Sequence, residues 1–398
     1  MAMRVKNLSH PRWAAGVVAI GALAAAVAGC GGTSSADSAG SGAGGAAPAD
    51  VTDVAITVTQ SGCTAEYSSY GTGPLDFTIK NVDAAGVSEV ELLSANRILG
   101  ERENLPPGFS GTFSLNLEPG DYEVFCPGAD ADTSQITITG TAGDTPATGT
   151  HALLEDGANQ YKDYVVSQTD QMVGAATALK SAIDAGDLAA AQEAYIQARP
   201  FYERIEPVAE SFPDLDFAID ARPEMVEAGQ EWTGFHPIEK ALFQAEKTSA
   251  TAAMSAKLVK DVTELQTVTN GLSGFQPAEL ANGAVGLLEE AGNNKITGEE
   301  ERYSLIDLQT FVANVEGSEQ AFQYLRAGLV EIDPALTETI EARFAALTAL
   351  LDTYKDSGNP SGYRYYDELT KADTTRISQA LLAVHEPLSR VAGKVVGA

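Results

Sequence analysis

The chain has 398 residues, of which 55 are Asp or Glu and 25 are Lys or Arg, so its formal net charge is −30. An acidic field of this size repels nucleic acid and anionic lipid headgroups and concentrates cations, so we expect no nucleic-acid partner. The length also exceeds what one typical hydrophobic core supports, which predicts two domains.

The first 29 residues combine a basic head with a short apolar run, as is typical of a secretory signal peptide. The run ends in Val-Ala-Gly-Cys, which resembles a bacterial lipobox and implies cleavage before Cys30 and acylation of its sulfur; a plain signal peptide is the alternative. Residues 30–50 are rich in Gly and Ser and predict a flexible tether. We therefore expect an exported protein, held by a lipid anchor on the outer face of the cytoplasmic membrane.

Residues 51–140 carry short apolar or alternating runs separated by Gly- and Pro-containing turns. Runs with this period of two are typical of strands, and many short strands in about 90 residues predict an all-β sandwich. The predicted strands are VAITVTQ, LDFTIKN, SEVELLS, GTFSLNL, DYEVFCP and SQITITG.

Residues 151–398 change to an apolar spacing of three to four, which predicts an all-α helical bundle. In one predicted helix, Asp187 is a suitable N-cap and Pro200 should bend or end the helix near its C-terminal part. The apolar stripe of this helix consists of Leu188, Ala191, Tyr195, Ala198, Tyr202 and Ile205.

The segment WTGFHPIEKALF places His236 three residues before Glu239, with Pro237 suited to a first helical turn. At this spacing an imidazole and a carboxylate point to one side of a helix and can bind one metal ion. An H-x-x-E pair alone is a weak signal, and a buried histidine beside a surface acid is the alternative.

Further acids upstream strengthen the metal hypothesis. Glu203 and Glu206 share a predicted helix face, and a buried carboxylate needs a partner, either a metal ion or a base such as Arg204 or Arg222. Three more acids follow in the connecting segment, namely Asp214, Asp216 and Asp220.

The segments ARPFYERIEPVAESFPDLDFAIDAR and WTGFHPIEKALF closely resemble the imelysin-like, M75-type domain of the EfeO/EfeM iron-uptake family. EERYSLIDLQTFVANVEGSEQAF and YRYYDELT resemble the same family. SEVELL, ERENLPPGFSGTF and PGDYEVFC resemble its cupredoxin-like domain. The resemblance implies a cupredoxin-like sandwich followed by an imelysin-like helical domain that binds metal.

The resemblance also implies a metal site made by Glu203, Asp220, His236 and Glu239. Asp214 or Asp216 could replace Asp220, and Glu206 could replace Glu203. This hard, oxygen-rich set suits ferric or ferrous iron, and zinc could also fit. The residues expected to support the ligands without binding the ion are Glu206, Tyr303 and Asp307.

Residues 51–150 contain no His and no Met, so the sandwich cannot hold a type 1 copper centre. The resemblance implies a candidate second site for copper or iron at Cys63, Glu89 and Cys126. The alternative is a Cys63–Cys126 disulfide, which is common in exported proteins.

The resemblance implies an extracytoplasmic iron-binding component of an Efe-type uptake system, with a membrane iron permease and a haem peroxidase as partners. We expect no enzymatic activity, because the chain lacks the H-E-x-x-H motif of zinc peptidases. Two alternatives remain at this point: a ferroxidase or other metal-dependent enzyme that uses the sandwich, and a metal-dependent module that binds acidic polysaccharide.

Overall fold

A computed structural model describes Ala47 and residues 52–141, 149–226, 229–249, 251–293, 295–396 and 398. The predicted signal peptide and Cys30 lie outside the described residues, as does the predicted tether apart from Ala47. Within the described ranges, no helix is both long enough and apolar enough to cross a membrane.

The N-terminal part of the described chain is built of strands that form two sheets. The first sheet has the order β2-β1-β4-β7 and the second the order β3-β9-β8-β5-β6. Neighbouring strands are antiparallel, except that β1 with β4 and β3 with β9 are parallel. The strands are β1 (Asp53–Thr59), β2 (Gly62–Ala65), β3 (Ser69–Gly71), β4 (Gly73–Asn81), β5 (Val90–Ser94), β6 (Arg97–Arg102), β7 (Ser110–Leu117), β8 (Gly120–Phe125) and β9 (Thr133–Thr139).

Alternating side chains from both sheets fill one apolar core. Val54, Ile56 and Val58 of β1 point inward, and Phe77 of β4 stacks on Phe113 of β7 with 4.7 Å between ring centroids. The six predicted strands are confirmed within one or two residues at each end. The sequence pattern missed β2, β3 and β6, which are short or carry charged residues.

The C-terminal part is helical, as predicted. Its long first helix packs against the second, sixth and eighth, and one large apolar core joins the helices. The helices of the described residues are α1 (Thr150–Ala185), α2 (Leu188–Glu203), α3 (Glu206–Glu210), α4 (Pro213–Asp220), α5 (Phe235–Glu239), α6 (Ala252–Gly271), α7 (Pro277–Asn293), α8 (Asp307–Ile332), α9 (Pro334–Asp352), α10 (Lys371–Leu388) and α11 (Val391–Val396).

The local signals in the sequence have the predicted structural effects. The Asp187 side chain accepts a hydrogen bond from the Ala190 amide and caps α2. This helix ends at Glu203, three residues after Pro200. Pro237 lies in the first turn of α5, which continues as a π-helical turn.

The edge of the sandwich packs directly on the helical domain through β6, β7, α7 and α11. Arg102 of β6 makes a two-pronged ion pair with Glu289 of α7, with N–O distances of 2.5 and 2.6 Å. Arg97 pairs with Glu279 of the same helix. These contacts fix the two domains against each other and enclose a space between them.

Candidate metal centre

Three of the predicted ligands lie together inside the helical domain. The Nε2 atom of His236 is 3.5 Å from Oδ1 of Asp220, and its Nδ1 atom is 3.7 Å from Oε2 of Glu239. A carboxylate that the sequence reasoning missed, Glu300, brings Oε1 to 3.5 Å from His236 Nε2. All but Asp220 are at most 2% exposed, and the Asp220 side chain is 8% exposed.

The chain segment before α5 determines where His236 lies. Gly234 has a φ of 91°, and a Cβ here would overlap a carbonyl at the end of α4, so the close approach requires glycine. The Thr233 hydroxyl and the Trp232 indole each donate a hydrogen bond to a carbonyl at that same end. Because Asp220 is the last residue of α4, this packing brings its carboxylate to His236.

A buried arginine, which the sequence reasoning did not identify, lies beside these groups. Arg199 is fully buried in α2 and its guanidinium donates to four carboxylates. One of these bonds, from Nη2 to Oε1 of Glu300, measures 3.1 Å. The other carboxylates are those of Glu203, Asp220 and Glu301. The protein therefore supplies a permanent cation at one side of the acidic cluster.

The bases expected to neutralise Glu203 have other partners, which corrects that prediction. Arg204 donates to Glu316 at 2.8 Å near the surface. Arg222 donates to Oε2 of Glu300 at 2.8 Å and so stabilises the carboxylate beside His236. The helical periodicity could not show either pairing, because both partners come from distant parts of the chain.

Glu203, predicted as a metal ligand, has its carboxylate oxygens bound by bases and an amide, and its role as a ligand stays a prediction. Its Oε1 accepts from Arg199, and its Oε2 accepts from Lys295 at 2.9 Å and from Asn314 at 2.9 Å. Glu206 shares Lys295, with 2.5 Å from Nζ to each carboxylate oxygen. Glu203 and Glu206 therefore form a second compartment of the cluster, organised by Lys295.

Two of the three predicted supporting residues, Tyr303 and Asp307, lie at the loop that carries Glu300. Glu239 Oε1 accepts from the amides of Tyr303 and Ser304 and from the Ser304 hydroxyl, at 2.7–2.9 Å. Asp307 Oδ1 accepts from the Glu301 amide at 3.0 Å. Tyr303 thus acts through its backbone amide, and Asp307 fixes the start of the loop.

Among the three candidate acids near α4, the structure brings Asp220 to His236. Asp216 instead accepts a hydrogen bond from the Tyr202 hydroxyl, and Asp214 is exposed. Burial raises the pKa of Asp216 to about 7, although the bond from Tyr202 lowers it.

The electrostatics of the site favour a proton or another cation on the imidazole. Burial lowers the pKa of His236, but the carboxylates of Asp220, Glu239 and Glu300 outweigh this effect and raise it well above its ordinary value. Burial also raises the pKa of Glu300, but Lys295 and the imidazole lower it well below its usual range. A metal ion that binds His236 must therefore displace a proton.

Two buried atoms at the centre have no hydrogen-bond partner among the described residues, namely His236 Nε2 and Glu239 Oε2. Ligand atoms of Asp220, His236 and Glu300 all lie within 4.8 Å of one another. Two ligands of one ion, each about 2.1 Å from it, are roughly 3.0–3.4 Å apart. The 3.5 Å separations at His236 Nε2 are therefore close to what a shared ion needs, so the residues fit a metal ion.

In the sandwich, Cys63 and Cys126 form a disulfide. Neither sulfur is then a thiolate, so the two cysteines of the candidate site at Cys63, Glu89 and Cys126 form the disulfide that the sequence offered as the alternative. Burial raises the pKa of Glu91, two residues after Glu89, to about 8, with a contribution from the Glu89 charge. The sequence had left the disulfide and the metal site as alternatives, since it contains no information on the distance between the two cysteines.

Comparisons with known proteins agree with this architecture. The imelysin (peptidase M75) family matches residues 157–391, and the cupredoxin-like domain family matches residues 21–139. The chain is 37% identical over 348 residues to the iron uptake system component EfeO of Yersinia pestis, covering 86% of this chain and 91% of that protein. It is also 37% identical over 349 residues to EfeO of Escherichia coli (strain K12), covering 86% and 92%.

Proposed function

The chain belongs to the imelysin family, in the EfeO group that pairs this domain with a cupredoxin-like one, and we propose that it captures iron for an uptake system. Iron is the cargo in this proposal, and the protein binds and delivers it without chemical turnover. The similarity to EfeO proteins, which are named as iron uptake components, supports iron over other cations.

The observation that carries the proposal is the buried Nε2 atom of His236, which has no hydrogen-bond partner in the described part of the chain and faces carboxylate oxygens of Asp220 and Glu300 at 3.5 Å. A core imidazole without a ligand normally has a hydrogen-bond partner, because an unsatisfied buried polar atom is destabilising. His236, Asp220 and Glu300 offer one nitrogen and several carboxylate oxygens, and Glu239 faces the other ring nitrogen at 3.7 Å. This set of donors suits ferrous or ferric iron, and zinc or copper could compete.

The setting of the binding site follows from the N-terminal sequence. We propose that the chain is exported and anchored through a lipid on Cys30, so that the iron-binding domain faces the outside of the cytoplasmic membrane. A membrane iron permease would receive the ion, and a haem peroxidase of the same system would act with it. The ferroxidase alternative loses its cysteine ligands in the disulfide, and no feature of the described residues favours polysaccharide binding.

Anaerobic calorimetric titration with Fe²⁺, and titration with Fe³⁺ as its citrate complex, tests the proposal. The two informative variants are His236→Gln and Glu300→Gln, each of which we expect to weaken iron binding at least tenfold. His151→Gln is the matched control, because His151 is a partly exposed histidine of α1. Unaltered iron binding by the His236 variant, or no binding by the unmodified protein, would overturn the proposal.

A further inference from the structure

A cavity of about 330 Å³ lies between the sandwich and the helical domain, separate from the His236 centre. We propose that the cavity binds a second, oxygen-preferring cation through Glu210 and Glu290, which line it, with Glu206 adjacent to both. Glu101 and Glu103 line the opposite wall and belong to the sandwich, so both domains contribute to this site.

The helical ligands of the cavity come from two elements. Glu206 and Glu210 lie four residues apart on α3, and Glu290 lies near the end of α7. Carboxylate oxygens of the three residues lie within 4.8 Å of one another. Such a spacing lets three carboxylates converge on one ion after small side-chain movements.

Glu290 provides an independent sign of a missing ligand. The residue is only 8% exposed, and its Oε2 atom is buried with no hydrogen-bond partner among the described residues. The nearest bases are Lys295 Nζ, 3.9 Å from Oε2, and Arg222 Nη1, 3.6 Å from Oε1. Both distances are too long for hydrogen bonds, and both bases form shorter bonds to other glutamates.

The bases of the domain interface are also bound to other groups. Arg102 lies between Glu101 and Glu103 in sequence, yet its guanidinium pairs with Glu289. Arg102 lines the cavity together with Glu101 and Glu103, and the charge of its guanidinium is paired with Glu289, which lines the cavity as well. The cavity is therefore lined by more carboxylates than Arg102 alone neutralises.

The pKa values agree with this lack of neutralisation. Burial, followed by the charge of Glu290, raises the pKa of Glu103 to about 8 and that of Glu210 well above its ordinary range. A bound cation would offset the mutual repulsion of these buried carboxylates.

The chemistry of the ligands defines the class of cation. Every proposed ligand is a carboxylate, and sets of this kind bind hard cations such as Mn²⁺, Ca²⁺ or Fe³⁺ in preference to soft ones. The His236 centre differs because it includes an imidazole. Lys295 contacts both Glu203 and Glu206, and so it lies between the two sites.

Counting bound Mn²⁺ by electron paramagnetic resonance at pH 7.5 tests the proposal. We expect two ions per unmodified protein, and one ion for the double variant Glu210→Gln/Glu290→Gln. The matched control is Glu331→Gln/Glu338→Gln, which removes two exposed glutamates elsewhere and should still bind two ions. Thermal melting of each variant verifies that it is folded.

Two more variants separate this proposal from the iron proposal and test the role of the sandwich. His236→Gln should retain one ion, the one that the cavity variant loses. Glu101→Gln/Glu103→Gln should weaken the second ion at least tenfold, although both changes lie outside the helical domain. The cavity site would be overturned if the Glu210→Gln/Glu290→Gln variant still bound two Mn²⁺ ions tightly. It would also be overturned if the unmodified protein bound one ion that His236→Gln abolishes, or if the unmodified protein bound no Mn²⁺.

Discussion

Replacing Arg199 with Met should destabilise the metal-free protein strongly and yet strengthen metal binding. Arg199 is fully buried and pairs with the carboxylates of Glu203, Asp220, Glu300 and Glu301. Methionine keeps much of the volume but removes the charge, so four buried carboxylates lose a shared partner.

The expected magnitude follows from the burial of the ion pairs. Removing one partner of a buried pair typically destabilises a protein by about 3–5 kcal/mol, since the other charge stays buried without compensation. Burial already raises the pKa of Glu301 to about 8 even with Arg199 present, so this carboxyl can take up a proton when the base is lost. We therefore expect the Arg199→Met variant to lose the full 3–5 kcal/mol of unfolding free energy, about the value for a broken buried pair, at pH 8.5 and less at pH 6.

Denaturant unfolding in the presence of a chelator measures the change in unfolding free energy of the metal-free protein. The control variant is Arg326→Met. Arg326 pairs with Glu341 at the surface, where such a pair contributes about 0–1 kcal/mol. Metal affinity should change in the opposite direction, because the Arg199 variant leaves more negative charge around His236. Equal stability of the two variants at pH 8.5, or weaker metal binding by the Arg199 variant, would refute the reasoning.

Three further predictions concern packing, the disulfide and pH. Gly157→Ala should destabilise the protein by about 1–3 kcal/mol in thermal unfolding, because the new Cβ would overlap the α8 backbone. Its control, Gly174→Ala, places a Cβ in open space on the same helix and should stabilise the protein by about 0.5–1 kcal/mol, because alanine favours a helix over glycine. Cys63→Ser/Cys126→Ser removes a cross-link over 63 residues and should lower the unfolding free energy of the sandwich by roughly 4 kcal/mol, without altering metal binding at His236. The melting temperature of the metal-free protein should fall as pH rises from 5 to 8.5. The folded-state pKa of Glu301, about 8, exceeds its unfolded value, so the folded chain binds more protons than the unfolded chain in this range. A melting temperature that rises from pH 5 to 8.5 would contradict this prediction.

Periodicity in the sequence predicted most of the fold, because each element follows a local rule. The alternation in β1 and the stripe on α2 each determine which side chains are buried, and Asp187 marks where α2 begins. The same kind of rule placed His236 and Glu239 on one side of a helix. Sequence information was sufficient here since all the interacting residues lie within one element.

The rest of the site depends on contacts between distant segments, which spacing cannot predict. Glu300 lies in a run of three glutamates that is typical of a solvated turn, yet it is 2% exposed and 64 residues from His236. Arg199 did offer a signal, since it follows Tyr195 by four residues and lies next to the predicted apolar stripe. A base on an apolar stripe indicates buried acids nearby, but their identities require the tertiary structure.

The internal bases explain how this acidic cluster can exist in a folded protein before any metal ion binds. Arg199 and Lys295 neutralise part of the carboxylate charge, and Arg199 also reaches Asp220 and Glu300, the two carboxylates that face Nε2 of His236. Because the pKa of His236 is raised, a proton takes the place of the metal ion when the site is empty. Metal binding is then an exchange of one cation for another within an already folded cluster. The apparent metal affinity should therefore decrease as pH falls, because a larger fraction of His236 and Asp220 is protonated and the metal ion must displace those protons.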